Sequence, residues 1–394
     1  MTGTAQQQRA YTGPRILERG FWPFFLSAGL MAGLAMPVWA AMHARGFSLA
    51  SNLGGREWHV HEMLFGYLAA VVAGFLLTAI PNWTGRLPVI GIRLGLLWAL
   101  WLAGRLATGL SNFAPLTAAV VDSAFLVVFA SLIWREVLSG NNIRNGPVCA
   151  LVSLLAIANI MFHYAWLAGD ETRFWEHLAL AAIAILISLI GGRIVPSFTL
   201  NWMMRRGETV RPVPFGRYDA ITLLITLITL LTWTFVAGGV VTGGLFALTA
   251  LLHAVRLARW AGHRTAEEPL LFILHVGYAW LPLGYGLLAA AMFGELLPET
   301  TALHALTAGA IGTMIAAVMS RATLGHTGRP LHAGPGTVVA YGLIVIGAFV
   351  RVLASAFPDQ YGAWVLAAGG LWAGGYMLFA LIYGPMLLRP PATA

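Results

Sequence analysis

The chain contains no lysine; all 23 of its basic residues are arginine. Charge of either sign is scarce, at 10% of 394 residues, where a soluble domain carries about 25%. A soluble globular class is therefore excluded. A single cysteine, Cys149, excludes an intrachain disulfide and any cysteine-based cluster or zinc site. No haem-attachment motif of the c type and no glycine-rich nucleotide loop is present. The alternating pattern of barrel strands is missing too.

What remains is apolar sequence, 59% of the chain, arranged in runs of the roughly 20 residues that cross a bilayer as a helix. About twelve such segments are predicted, near 20–42, 60–81, 90–110, 114–138, 147–168, 174–195, 217–238, 240–261, 269–291, 300–320, 335–356 and 361–387. Backbone groups in lipid must pair within their own segment, so helices are expected. The fold class is an all-α polytopic membrane protein, with a tail at 1–19 and one transmembrane domain at 20–390. The break at Gly238–Gly239 is the weakest, since both glycines fit inside a helix as well as between two.

Arginine sets the orientation. The termini and the even-numbered loops hold 18 arginines, and the odd-numbered loops hold Arg45, Arg56, Arg105, Arg173 and Arg351. That asymmetry predicts a membrane protein with both termini in the cytoplasm, and the 1–19 tail is expected to stay uncleaved. The formal charge of +8 is then a topology signal, and no nucleic-acid partner is expected. The basic 193–217 stretch suits anionic membrane lipid.

A repeat lies beneath this pattern. His61 opens one segment and Arg86 follows 25 residues later, in Thr84-Gly85-Arg86; His304 opens another and Arg329 follows 25 residues later, in Thr327-Gly328-Arg329. Arg105 and Arg351 occupy similar places near the ends of the next segments. Glu176-His177 opens a weaker third copy. The chain thus reads as three units of four helices, roughly 20–138, 147–261 and 269–387, with histidines opening segments 2, 6 and 10.

Of 11 histidines, six are placed at one periplasmic level: His43, His59, His61, His163, His177 and His304. Ionisable groups within spans are costly and by default suggest function, and imidazole binds metals and haem. His59 and His61 lie about 200° apart on a regular helix and cannot share one metal. Glu62 shares a face with His59 and is the candidate for proton transfer. His61 paired with His304 would give a bis-histidine haem site, with Arg105 and Arg351 for the propionates. His177 with His163 could hold a second metal, with His59 a further candidate. His275 is intramembrane and is either a ligand or a proton carrier. A proton-coupled transporter with a histidine relay, or a haem sensor or assembly factor, remains a competing class.

The stretch His59-Val-His61-Glu62-Met63-Leu64-Phe65-Gly66-Tyr67, running on to Pro81-Asn82-Trp83-Thr84-Gly85-Arg86, resembles the signature of the NnrS family. So do His275-Val-Gly277-Tyr278 to Gly284 and His304 to Met314. The resemblance covers nearly the whole chain. It implies a bacterial membrane protein containing haem b and copper, linked to the nitric oxide response, with nitric oxide or a related small molecule as partner. An oxidoreductase akin to nitric oxide reductase would fit, although no motif names an electron donor. Twelve helices in three fours with histidines on helices 2, 6 and 10 also resemble the haem-copper oxidases in topology. Segment 7 has no histidine and segment 10 only one, so a standard binuclear centre is not expected.

Overall fold

The computed structural model describes residues 11–236, 238–294 and 297–388. Part of the predicted tail, the end of the predicted transmembrane domain and the side chain of Arg45 lie outside the described residues. All regular secondary structure among the described residues is helical. Among the described residues, eleven helices are long and apolar enough to cross a membrane. A twelfth, Ile92–Gly109, has the length but carries Arg93 and Arg105. The chain is a multi-pass membrane protein.

In chain order the helices are α1 (Phe21–Arg45), α2 (Gly55–Thr84), α3 (Ile92–Gly109), α4 (Pro115–Ser139), α5 (Gly146–Ala168) and α6 (Arg173–Arg205). The others are α7 (Arg217–Val236), α8 (Val240–Ala258), α9 (Pro269–Gly294), α10 (Glu299–His326), α11 (Pro335–Leu353) and α12 (Tyr361–Leu388). The weak break resolves into two helices, with Gly238 and Gly239 between α7 and α8. Helix α6 corrects an expected boundary. It runs through Pro196 to Arg205 instead of stopping near 195, so Arg193 and Arg205 are helical and the basic loop is shorter than predicted. Proline forfeits only one backbone bond there, and such interruptions are tolerated inside membrane bundles.

The chain divides into two compact units, residues 1–182 with 383–394, and residues 183–382. In the first, α1, α2, α3, α4 and α5 pack in succession, with α2 also against α4. In the second, α9 packs on α8 and on α10, and α10 on α11.

Two local features recur where the repeat predicts equivalence. Thr84-Gly85-Arg86 and Thr327-Gly328-Arg329 each hold glycine in the left-handed region, φ 70° and 71°. The shared motif is thus a helix stop that only glycine adopts without strain. Each histidine in question is followed at once by a π-helical turn, Glu62–Tyr67 after His61 and Ala305–Ile311 after His304. A π turn is rare and clusters at functional sites. Each turn has a carbonyl capped by an indole from another helix. Trp101 Nε1 donates to Gly66 O at 3.0 Å, and Trp372 Nε1 to Ala308 O at 3.2 Å.

Candidate metal centre

Four helices of the first unit aim polar side chains at one point. His61 leaves α2 on the last turn before the π segment. Asp122 sits in the middle of α4, where α3 approaches closely; a Cβ on Gly104 would lie 3.0 Å from Asp122 Oδ1 and 3.1 Å from its Cα. Asn159 and His163 stand four apart on α5 and share a face. Arg105 comes from α3.

The distances are short. His61 Nε2 lies 3.1 Å from His163 Nε2, 3.1 Å from Asp122 Oδ2 and 3.2 Å from Asn159 Oδ1. His163 Nε2 is 2.9 Å from Asp122 Oδ2. The two histidines and Asp122 are buried and form a three-residue group able to hold a metal ion. Asn159 Nδ2 donates to Asp122 at 2.9 Å and fixes the amide with its oxygen inward. Lone pairs of two imidazoles, a carboxylate and an amide oxygen therefore converge on a dry point, an arrangement that a cation satisfies.

The donor set fits a bare first-row metal ion. Bonds of about 2.0–2.2 Å to nitrogen and oxygen put adjacent ligand atoms near 3 Å apart. Two imidazoles with a carboxylate suit zinc, copper, iron and nickel alike. Supporting groups are in place. Glu62 Oε1 sits 3.0 Å from His61 Nδ1, so the ring donates Nδ1–H to it and turns its Nε2 lone pair inward. Arg105 bridges the two acids, donating to Glu62 at 2.6 Å and to Asp122. Gly66, within the π turn, makes room for this guanidinium; a Cβ there would meet Arg105 Nη1 at 2.5 Å. Phe65 and Phe162 pack on the His61 ring with centroids at 5.3 and 5.4 Å.

The structure brings together His61, His163, Glu62 and Arg105 of the predicted residues. It adds Asp122 and Asn159, which the sequence reading missed. An aspartate inside the apolar run Ala119-Val-Val-Asp122-Ser-Ala is itself a functional signal in a membrane helix. Two expectations change. Glu62 serves His61 and Arg105, whose Nδ1 and Nη1 lie 3.0 and 2.6 Å from its Oε1. His163 meets His61, whereas His177 and His59 lie outside the three-residue group. His177 is buried on α6 beside Glu176, which takes Arg56 at 2.9 and 2.6 Å. His59 packs on Trp39, with centroids 4.6 Å apart.

The second unit holds the remaining predicted residues. His304 Nδ1 donates to Thr300 O at 2.7 Å, which leaves the lone pair on Nε2. Arg351 is 9% exposed; Nη2 reaches Tyr361 Oη at 3.1 Å and Nη1 has no acceptor. Arg105, its repeat counterpart, has two carboxylates. His275 Nε2 donates to Thr199 Oγ1 at 2.9 Å, because that hydroxyl already gives its proton to Val195 O at 2.8 Å. Its Nδ1 is enclosed beside Gly262, and it belongs to no three-residue metal group among the described residues.

The same reasoning orders a second buried network. Thr226 Oγ1 gives its proton to Thr222 O at 2.7 Å, so His253 Nε2–H donates to Thr226 at 2.9 Å. His253 Nδ1 then accepts from Tyr278 O–H at 2.8 Å. Arg256 Nη1 donates to the Tyr278 oxygen at 2.8 Å, and its Nε donates to Asp219 at 2.8 Å. His253, Arg256 and Tyr278 are fully buried.

The family described as NnrS protein matches residues 15–390, nearly the whole chain. No curated protein matches it significantly.

Proposed function

The chain belongs to the NnrS family; on that footing we propose a membrane metalloprotein that binds or transforms nitric oxide, or a related metal-nitrosyl species, in defence against nitrosative stress. The observation that carries the reading is the convergence of His61, His163 and Asp122 on one buried point. Copper is the metal assigned to it. Bound there, copper supplies a one-electron centre with open affinity for a diatomic ligand.

The chain's own residues set the conditions. Glu62 fixes the His61 tautomer and is the group that exchanges a proton with Nδ1. Arg105 holds both acids in place. With neutral imidazoles, Glu62 and Asp122 against Arg105 leave one negative charge. A bound metal cation would offset that charge. Phe65 and Phe162 keep the ring dry.

Haem b is assigned to His304 and not to His61. His61 Nε2 already has three protein partners within 3.2 Å. His304, its tautomer held by the Thr300 carbonyl, would hold the haem, and Arg351, with an unmet donor, would meet a propionate. The three-fold repeat, the inner-membrane location and the cytoplasmic termini complete the reading, supported by the arginine asymmetry.

A second reading, proton-coupled transport, is favoured by the ordered thread Tyr278–His253–Thr226. Metal and haem analysis of the purified protein, with reduced and nitric-oxide-bound spectra, separates the two. Retained copper and a Soret band that shifts with nitric oxide support the first. Neither metal after reconstitution, and a spectrum blind to nitric oxide, would leave the second.

A further inference from the structure

Just ahead of α1 the chain makes a short 3-10 turn, Arg15–Leu17, fixed in place when Leu17 O accepts Gly91 N–H at 2.8 Å. Arg15 and Arg19 are four apart and both lie over the indole of Trp22, at 4.9 and 5.9 Å from guanidinium carbon to ring centroid. The indole orients both cations. Trp22 is itself buried, at 1% exposure.

This group is rich in donors and poor in acceptors. Arg15 Nε, Arg19 Nε and Trp22 Nε1 are each enclosed and meet no hydrogen-bond acceptor. Glu18 stands near Arg19, and its oxygen is 3.9 Å from Arg19 Nε, beyond hydrogen-bond reach. Arg15, Arg19 and Glu18 together carry one positive unit of charge. Burial, with Arg15 adding to it, pushes the Arg19 guanidinium below its ordinary value, against the pull of Glu18. Enclosed donors that lack acceptors are costly, so the arrangement is complete only with an added oxyanion. The rim is reachable, since the Arg19 side chain is 28% exposed.

We propose that Arg15, Arg19 and Trp22 form a binding site for a phosphate oxyanion, the phosphodiester headgroup of an anionic phospholipid. The place agrees, because the group immediately precedes the apolar span that begins at Phe21. A phosphodiester carries one negative charge, matching the local excess, and its two free oxygens suit two guanidinium groups. Anionic headgroups concentrate at that depth.

The test uses the full-length protein in mixed micelles or nanodiscs, with bound lipid counted by native mass spectrometry. Dioleoylphosphatidylglycerol should be retained at least tenfold over dioleoylphosphatidylcholine. Arg15→Gln/Arg19→Gln should cut that preference at least fivefold, while Arg144→Gln, an exposed arginine elsewhere, leaves it unchanged. Inorganic phosphate at millimolar concentration should not displace the lipid; displacement would mean a free-anion site and overturn the headgroup assignment. Because the double variant could misfold, Arg15→Lys/Arg19→Lys is run beside it. It keeps the charge and removes the forked donors, and the preference should still fall. Undiminished preference in the lysine pair, or in a folded glutamine pair, overturns the proposal.

Discussion

His61 and His163 face each other through their Nε2 atoms at 3.1 Å, with Asp122 Oδ2 within 3.1 Å of both. Two imidazole nitrogens at that separation share either a proton or a metal ion, and the nearby carboxylate stabilises either one. Copper content is thus the direct test. His163→Ala and Asp122→Asn should each lower copper retained per chain about tenfold or more, measured by elemental analysis after dialysis against a mild chelator. Full retention in both variants would remove the centre from consideration.

Glu62→Gln keeps both imidazoles and Asp122 but replaces the acceptor that orients His61. Loss of such an outer carboxylate costs roughly 10–100-fold in metal affinity. A competition titration with a copper chelator should therefore show weaker binding at unchanged stoichiometry. That outcome separates positioning by Glu62 from direct ligation, which would lower the stoichiometry.

Arg105→Ala leaves Glu62 and Asp122 buried without their cation. Breaking a buried pair in this way costs about 3–5 kcal/mol. The melting temperature should drop, and added copper should raise it again, since a bound cation restores the charge balance. Equal melting temperatures for variant and parent in the metal-free state would show that the acids are already protonated there.

Arg351→Gln should reduce haem retention, read as Soret absorbance per protein, and leave copper content unchanged. Arg105→Ala, which removes no haem-side group, should leave the Soret absorbance per protein unchanged. The two arginines occupy equivalent repeat positions, yet Arg105 has two carboxylates and Arg351 has Tyr361. If both variants lose the same cofactor, the division of labour is wrong.

Asp219→Asn removes the carboxylate that Arg256 Nε holds at 2.8 Å. Arg256 is fully buried, so a loss of about 3–5 kcal/mol is expected. Thermal unfolding of the variant should show it without any change in copper content.

The helices were readable because each must be a long apolar run, and lipid allows few other solutions. Where polar residues interrupt a run for a purpose, the reading weakened. Helix α3 carries Arg105 because two acids await it, which is why its hydropathy trails the others. Helix α6 continues past Pro196, a residue that in a soluble chain would end it. The site was half legible. His61, His163, Glu62 and Arg105 stand out as ionisable residues in apolar surroundings. Their grouping did not, because which helix faces which is a tertiary fact that spacing along one chain does not encode. Asp122 carries the same signal as the histidines, an ionisable residue inside an apolar run. Asn159 is neutral and gives no signal until its neighbours are known.

The π turn after His61 bears on how this site could be lost. Such a turn carries one residue beyond what an α-helix uses, so it behaves as a fixed single-residue insertion. Deleting any one residue of Glu62–Tyr67 that is not itself a ligand or support, such as Met63, would let the helix rewind as continuous α. Five α-helical residues at about 100° each cover nearly the angle that the six-residue π turn covers, so the helix before it would keep its phase. His61 would still face the Asp122–His163 point, and the residues of the turn itself would shift, among them Gly66, which gives the Arg105 guanidinium its room. The turn therefore shapes the space around Arg105 more than the aim of His61, and an in-frame deletion would act on the guanidinium before it acted on the ligand.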